Sequence, residues 1–225
     1  MKCFVKIVLL LIVLLVVVKG QDDAFTKLNL VLDGGMVIPQ RTEYFSDNWK
    51  LGYNYSFGLE FAFTRLFTLN FLRFQSSRFF LDEEKYLQNF YPELTNPEIN
   101  GRDLYLWRIW SGFKFKFFDR PKRVYPYLWF DFSFIGGMIR DKGIVTESYQ
   151  TFVDQRISEY NLSFQFGFGL QYNISETFSV NVNANYSGAS GINISVIDNL
   201  AINLGFNFTL AKNLDIRLPK SWLFI

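Results

Sequence analysis

From Tyr160 to Tyr172 apolar and small polar residues alternate without a break. Tyr160, Leu162, Phe164, Phe166, Phe168, Leu170 and Tyr172 fall on one parity; Asn161, Ser163, Gln165, Gly167, Gly169 and Gln171 fall on the other. A period of two sustained over that length belongs to a strand whose two faces meet different environments, and it is incompatible with an amphipathic helix. The pattern recurs in Phe178 to Tyr186 and in Leu200 to Leu210, where Val, Leu, Ile, Phe and Tyr oppose Asn, Ser and Gly. It recurs upstream in Tyr53 to Phe63, Tyr105 to Phe117 and Leu128 to Phe134, while Leu28, Leu30 and Leu32 mark a first strand and Phe67 to Phe80 a third. In that third segment Phe71 and Phe74 lie on opposite parities, which requires a bulge near Leu72 or Arg73. Eight strands are expected, or ten if the connection from Leu81 to Asp103 holds a further hairpin.

Charge distribution identifies the environments. Charged residues make up 20% of the chain, yet no apolar-face position of the six clearest strands carries one. With 27 Phe and 12 Tyr, the aromatic content also exceeds what a soluble core of this size needs. A face purged of charge suits contact with lipid, where unpaired backbone groups cost several kcal/mol each, so the strands must close on themselves. Connections alternate between short ones (65–66, 119–123 and 173–176) and long ones (39–50, 81–103, 140–156 and 188–195), as the turns and outer loops of a membrane barrel do. Aromatics gather at the strand ends, Tyr53, Tyr55, Tyr105, Trp107, Tyr160 and Tyr186 toward the long loops, with Phe63, Phe67, Phe117, Tyr172 and Phe178 toward the turns. The expected fold is all-β, an antiparallel up-and-down transmembrane β-barrel. The rival architecture is a soluble secreted barrel of the lipocalin sort, with the aromatic face turned inward around a ligand.

The N-terminus reads as an export address. Lys2 and Lys6 precede an unbroken apolar run from Ile7 to Val18, with Gly20 at the expected cleavage position. The run is shorter than the roughly 20 apolar residues that a spanning helix needs. The expected organisation is a cleaved signal at 1–20, a barrel at 21–210 and a periplasmic tail at 211–225. Cleavage removes Lys2, Lys6 and Lys19 from a chain of formal net charge +2, leaving a nearly neutral protein that is no nucleic-acid binder. It also removes Cys3, the one cysteine, so no disulfide is available.

The last alternating strand contains Asn203-Leu204-Gly205-Phe206-Asn207-Phe208-Thr209-Leu210. In this segment and in its general pattern from Phe25 to Leu210, the chain resembles the small outer-membrane β-barrels of diderm bacteria, such as the OmpA- and OmpX-type eight-stranded barrels. The resemblance implies outer-membrane lipid and lipopolysaccharide as surroundings, with periplasmic chaperones and the barrel-assembly machinery as partners during biogenesis. It also implies that Asn203, Gly205, Phe208 and Leu210 form an assembly signal. In many members that signal ends the chain, whereas here residues 211–225 follow.

The opposite face would line the lumen. Its charged members are Asp33, Glu60, Arg108, Lys114, Lys116, Asp131 and Glu159, with Trp110, Tyr127 and Trp129 adding bulk. A hairpin closing at 119–123 sets Asp131 opposite Trp110 or Gly112, within diagonal reach of Arg108 and Lys114. Glu60, Arg108, Lys114 and Asp131 are therefore the candidate lumen cluster, either structural or the gate of a narrow, porin-like channel for ions or small solutes. The chain has no His, which removes the usual imidazole acid/base, the Ser/His/Asp triad and His-containing metal sites. Barrel enzymes of the outer membrane resemble one another in using His, so a non-enzymatic protein without cofactor or metal is expected. Loops 81–103 and 140–156, bearing Tyr86, Phe90, Tyr91, Tyr149 and Phe152, remain as places for an extracellular ligand.

Overall fold

A computed structural model describes residues 26–41, 43–93, 98–99, 103–118, 123–140, 144–146, 149–151, 159–190 and 198–212. The expected signal at 1–20 and most of the expected tail lie outside these residues. In chain order the elements are β1 (Lys27–Arg41), α1 (Glu43–Asn48), β2 (Trp49–Ala62), β3 (Phe67–Leu81), α2 (Glu83–Phe90) and β4 (Glu98–Ile99). There follow β5 (Asp103–Lys116), β6 (Val124–Arg140), β7 (Ile144–Thr146), β8 (Tyr149–Thr151), β9 (Glu159–Asn173), β10 (Phe178–Ser190) and β11 (Asp198–Lys212).

The eight long strands form a closed barrel in the order β1-β11-β10-β9-β6-β5-β3-β2. Every pairing is antiparallel, and each strand neighbours its successor along the chain, with β1 and β11 closing the wall from Lys27 opposite Lys212 to Arg41 opposite Asp198. Closure leaves no sheet edge and pairs the ladder groups within the wall. The segment 81–103 adds no barrel strand, so the count is eight and not ten. It supplies α2 and the two-residue β4, which pairs with β7, and β7 pairs with β8 in a separate three-stranded sheet.

The two faces of the wall are as different as the alternation requires. On β9, Phe168 is 65% exposed and Gln165 2%. Phe57, Phe71, Phe132, Phe166, Ile202 and Leu204 likewise point away from the barrel axis, and Asn54, Ser163, Asn181, Asn183 and Asn203 are buried inside it. A lipocalin-like arrangement needs the reverse, with the aromatics around an inner ligand, and is thereby overturned. The irregularity in β3 is a bulge at Phe71 and Leu72: both are exposed, and together they face the single residue Ser111 between the pairs Asn70–Gly112 and Arg73–Trp110. The β5–β6 hairpin sets Asp131 opposite Gly112, one of the two registers expected.

The loop end is built from segments that show no strand alternation. Asp82 caps α2 by accepting from the Lys85 amide, and Glu83 and Glu84 in the first turn suit the positive end of the helix dipole. The Asp82 amide donates to the Asn48 carbonyl at 2.7 Å and Asn89 Nδ2 to Asn48 Oδ1 at 3.2 Å, which ties α2 to the end of α1. Lys50 lies 3.3 Å from the same Asp82 carboxylate.

Candidate functional site

Among the described residues the buried polar side chains of the wall face the lumen, and its contents change along the axis. At the loop end Val37, Phe45, Trp49, Phe79, Leu81, Tyr86, Leu104, Leu106 and Ala201 form one buried apolar cluster, with Leu87 and Tyr91 packed against it. Phe45 meets Phe79 edge to face at 4.9 Å between centroids. The helices α1 and α2 thus lay a plug across the barrel mouth. Tyr86, expected at a ligand-binding loop, is instead buried in this plug, and the Asp82 carboxylate is committed to its helix cap and to Lys50.

Beneath the plug lies a layer of polar side chains in which, among the described residues, Arg108 carries the charge. Arg108 is 1% exposed and donates from Nη1 to Ser187 Oγ at 2.8 Å, and Ser187 in turn donates to Asn199 Oδ1 at 2.7 Å. Its guanidinium also lies 5.6 Å from the Trp110 ring, whose Nε1 donates to Gln75 Oε1 at 2.6 Å. Among the described residues no carboxylate pairs with Arg108.

The ionic layer comes next. Arg73 Nη2 meets Asp33 Oδ2 at 2.5 Å, Arg73 Nε donates to Ser56 Oγ at 3.0 Å, and the guanidinium stands 5.3 Å from the Trp129 ring. Lys114 and Glu60 form a close ion pair, with the ammonium 4.9 Å from the Tyr127 ring. Asn70 Nδ2 donates to Asp131 Oδ1 at 2.7 Å, and Arg73, Glu60 and Lys114 act on that carboxylate through space. An amide ladder links β11 and β10 to β1: Asn203 donates to Asn183 at 3.0 Å, Asn183 to Asn181 at 2.9 Å and Asn183 to Asp33 at 3.4 Å. Charges removed from water in this way are tolerable only when paired and hydrogen-bonded.

The four candidate residues therefore do not form one cluster. Glu60 and Lys114 are brought together, Asp131 is held by Asn70, and Arg108 stands in the layer above, bonded to Ser187. The diagonal approach of Asp131 to Arg108 is not made, because the Arg108 side chain reaches across the lumen toward β10 instead of along its own hairpin. Arg73 was missing from the inward set. The bulge at Phe71 and Leu72 shifts its parity, and the conflict between Phe71 and Phe74 was the signal that could have found it.

The residues of the expected assembly signal divide between faces. Asn203 and Gly205 are buried in the lumen, and Phe208 and Leu210 point outward. A Cβ on Gly205 would collide with the Asp33 carboxylate and the Asn181 amide, so any larger residue there must push those two side chains aside. Gly167 and Gly169 make room for Trp129 and Tyr127 in the same manner. Large and small inner residues thus interlock, which fills a lumen of this width.

At the turn end the filling stops. A cavity of about 660 Å³ opens there, lined by inner residues of the last layer, among them Asn29, Lys116, Tyr125, Gln171, Ser179 and Thr209, and by rim residues Lys27, Arg65, Glu176 and Lys212. Lys212 Nζ donates to Glu176 Oε2 at 2.7 Å and holds that exposed carboxyl, on the β9–β10 turn, below its ordinary value.

Among solved structures, the chain is similar to the crystal structure of Neisserial surface protein A (NspA), with a TM-score of 0.54 and 13% identity over 81% of this chain and 97% of that one. The fold is that of the small eight-stranded outer-membrane barrels. Ail, the attachment invasion locus protein of Yersinia pestis, aligns at 12% identity and a TM-score of 0.39 over 82% of this chain and 99% of that one. The N-terminal β-barrel domain of Pseudomonas aeruginosa OprF aligns at 12% identity and a TM-score of 0.39 over 81% and 98%. No protein-family model and no curated protein matches the sequence.

Proposed function

We propose that this chain is an integral, non-enzymatic protein of the outer membrane of a diderm bacterium, with a structural or surface-interaction role and a lumen that does not conduct. The observation that carries the reading is the buried apolar cluster around Phe45, Trp49, Phe79 and Tyr86 at the loop end, next to an interior of buried, hydrogen-bonded polar side chains. A continuous water path would have to pass both. The belt of exposed Phe and Leu on the outer wall supports placement in lipid, with lipopolysaccharide against the loop end. Biogenesis would use periplasmic chaperones and the barrel-assembly machinery, with Asn203, Gly205, Phe208 and Leu210 as the assembly signal.

A ligand of the surface role would be met by loops 81–103 and 140–156, because the pairing of Glu98 with Val145 and Ile99 with Ile144 joins those two loops into one unit. The rival reading, a narrow channel, draws on the inner charges. The test is single-channel recording of the refolded mature chain, residues 21–225, in a planar bilayer beside an Arg108→Ala variant. Folded protein, recognised by its heat-dependent gel mobility, should show no discrete openings. Reproducible openings altered by Arg108→Ala would move the function to transport.

A further inference from the structure

The cavity at the turn end is a cup. One layer further in, Glu60, Lys114 and Tyr127 are each at most 5% exposed. Among the described residues lining it are four cations, Lys27, Arg65, Lys116 and Lys212, and one carboxylate, Glu176, to which Lys212 donates. The cations lie within electrostatic reach of one another and of two carboxylates: Lys212, Glu176 and Arg65 act on Lys27, and Lys114, Glu60 and Lys27 act on Lys116. Lys116 is half-buried beside the Tyr125 ring, at 5.6 Å from its centroid. The near neutrality of the mature chain makes this a local concentration of charge and not a reflection of composition.

Like charges held together inside a low-dielectric wall repel strongly, and a concave site of one sign focuses its field on an incoming counter-ion. Asn, Gln, Ser and Thr side chains around the same cavity add neutral hydrogen-bonding groups. The volume, about 660 Å³, falls within the range of about 300–1,000 Å³ typical of small-molecule sites and is far larger than one inorganic ion needs.

We infer that the turn-end cup is a binding site for a small soluble polyanion bearing two or more phosphate or carboxylate groups. Its walls are largely the inner faces of the strand ends, so it opens along the barrel axis to water and not sideways to lipid. In the orientation proposed above it faces the periplasm, but binding itself depends only on the cup and is independent of what the outer loops do.

The experiment is isothermal titration calorimetry of tripolyphosphate into the refolded mature chain in non-ionic detergent at low salt, then repeated in nanodiscs of phosphatidylcholine alone or with phosphatidylglycerol. One-site binding is expected, weakened by about ten-fold or more in Lys116→Gln and in Lys212→Gln, as loss of a charge-assisted contact requires. Arg123→Gln, on the exposed β5–β6 turn and outside the cup, should leave affinity within two-fold. Heat-dependent gel mobility verifies folding of each variant, and Lys212, at the rim, provides a second reading should Lys116→Gln fail to fold. Absence of binding, or an equal loss in Arg123→Gln, would overturn the site. Loss of binding specifically in phosphatidylglycerol discs would overturn the soluble ligand, since lipid headgroups would then fill the cup.

Discussion

The Asp33 carboxylate joins more of the lumen than any other single group described. It pairs with Arg73 from β3, accepts from Ser56 on β2 and Asn183 on β10, and occupies the space left by Gly205 on β11. Four strands thus converge on one side chain. Its inward position was legible from parity, whereas its partner was not, because the identity of the cation depended on a bulge two strands away. Arg73→Met should destabilise the barrel by about 3–5 kcal/mol, since it strands a buried carboxylate. Adding Asp33→Asn, which keeps a hydrogen-bonding side chain without the charge, should recover part of that loss. Urea unfolding in lipid vesicles measures both, and strictly additive losses would show that the two residues do not act as a pair.

Among the elements, β3 carries the irregularity that sets which cation reaches the ionic layer. Two adjacent outward residues, Phe71 and Leu72, restore the inward parity of Arg73, Gln75 and Ser77 after Asn70. A regular strand of period two would reverse every side chain beyond such an insertion. Deleting Leu72 should therefore regularise the strand and leave Arg73 inside, with heat-dependent mobility retained. Deleting Phe168 from β9, which has no extra residue, should put Leu170 into the lumen and Gly169 outside, and should abolish it. Equal tolerance of both deletions would mean that the bulge does not set the register. The helices were the least legible elements. Phe45 in α1 and Tyr86 in α2 become core residues only because the strands beneath them carry Val37, Phe79 and Leu106 near their loop ends.

Taken as a whole, the molecule is inverted relative to a soluble domain, with its most apolar residues outside and its amides and ion pairs within. Phe166 lies midway along β9 on the outer face, so Phe166→Arg should cost about 2–4 kcal/mol of folding stability in a bilayer. The adjacent Gln165 faces inward opposite Ser187, the residue to which Arg108 donates. Gln165→Glu should then be neutral or stabilising, because it brings a carboxylate toward a buried guanidinium. Comparable losses for the two variants in vesicle unfolding would refute the face assignment. The alternating segments, the parity of the regular strands, the up-and-down order and the apolar outer face were determined by local alternation and connection length, since the pleat sends successive side chains to opposite faces whatever surrounds them, whereas the choice of eight strands over ten was made only by the fold of 81–103. Closure alone decided that Arg73 meets Asp33, that Arg108 reaches Ser187, that two loop helices plug one mouth and that four cations ring the other. Those contacts join residues on strands that are not neighbours or lie far apart in the chain, and side-chain reach across a closed lumen has no counterpart in a linear pattern.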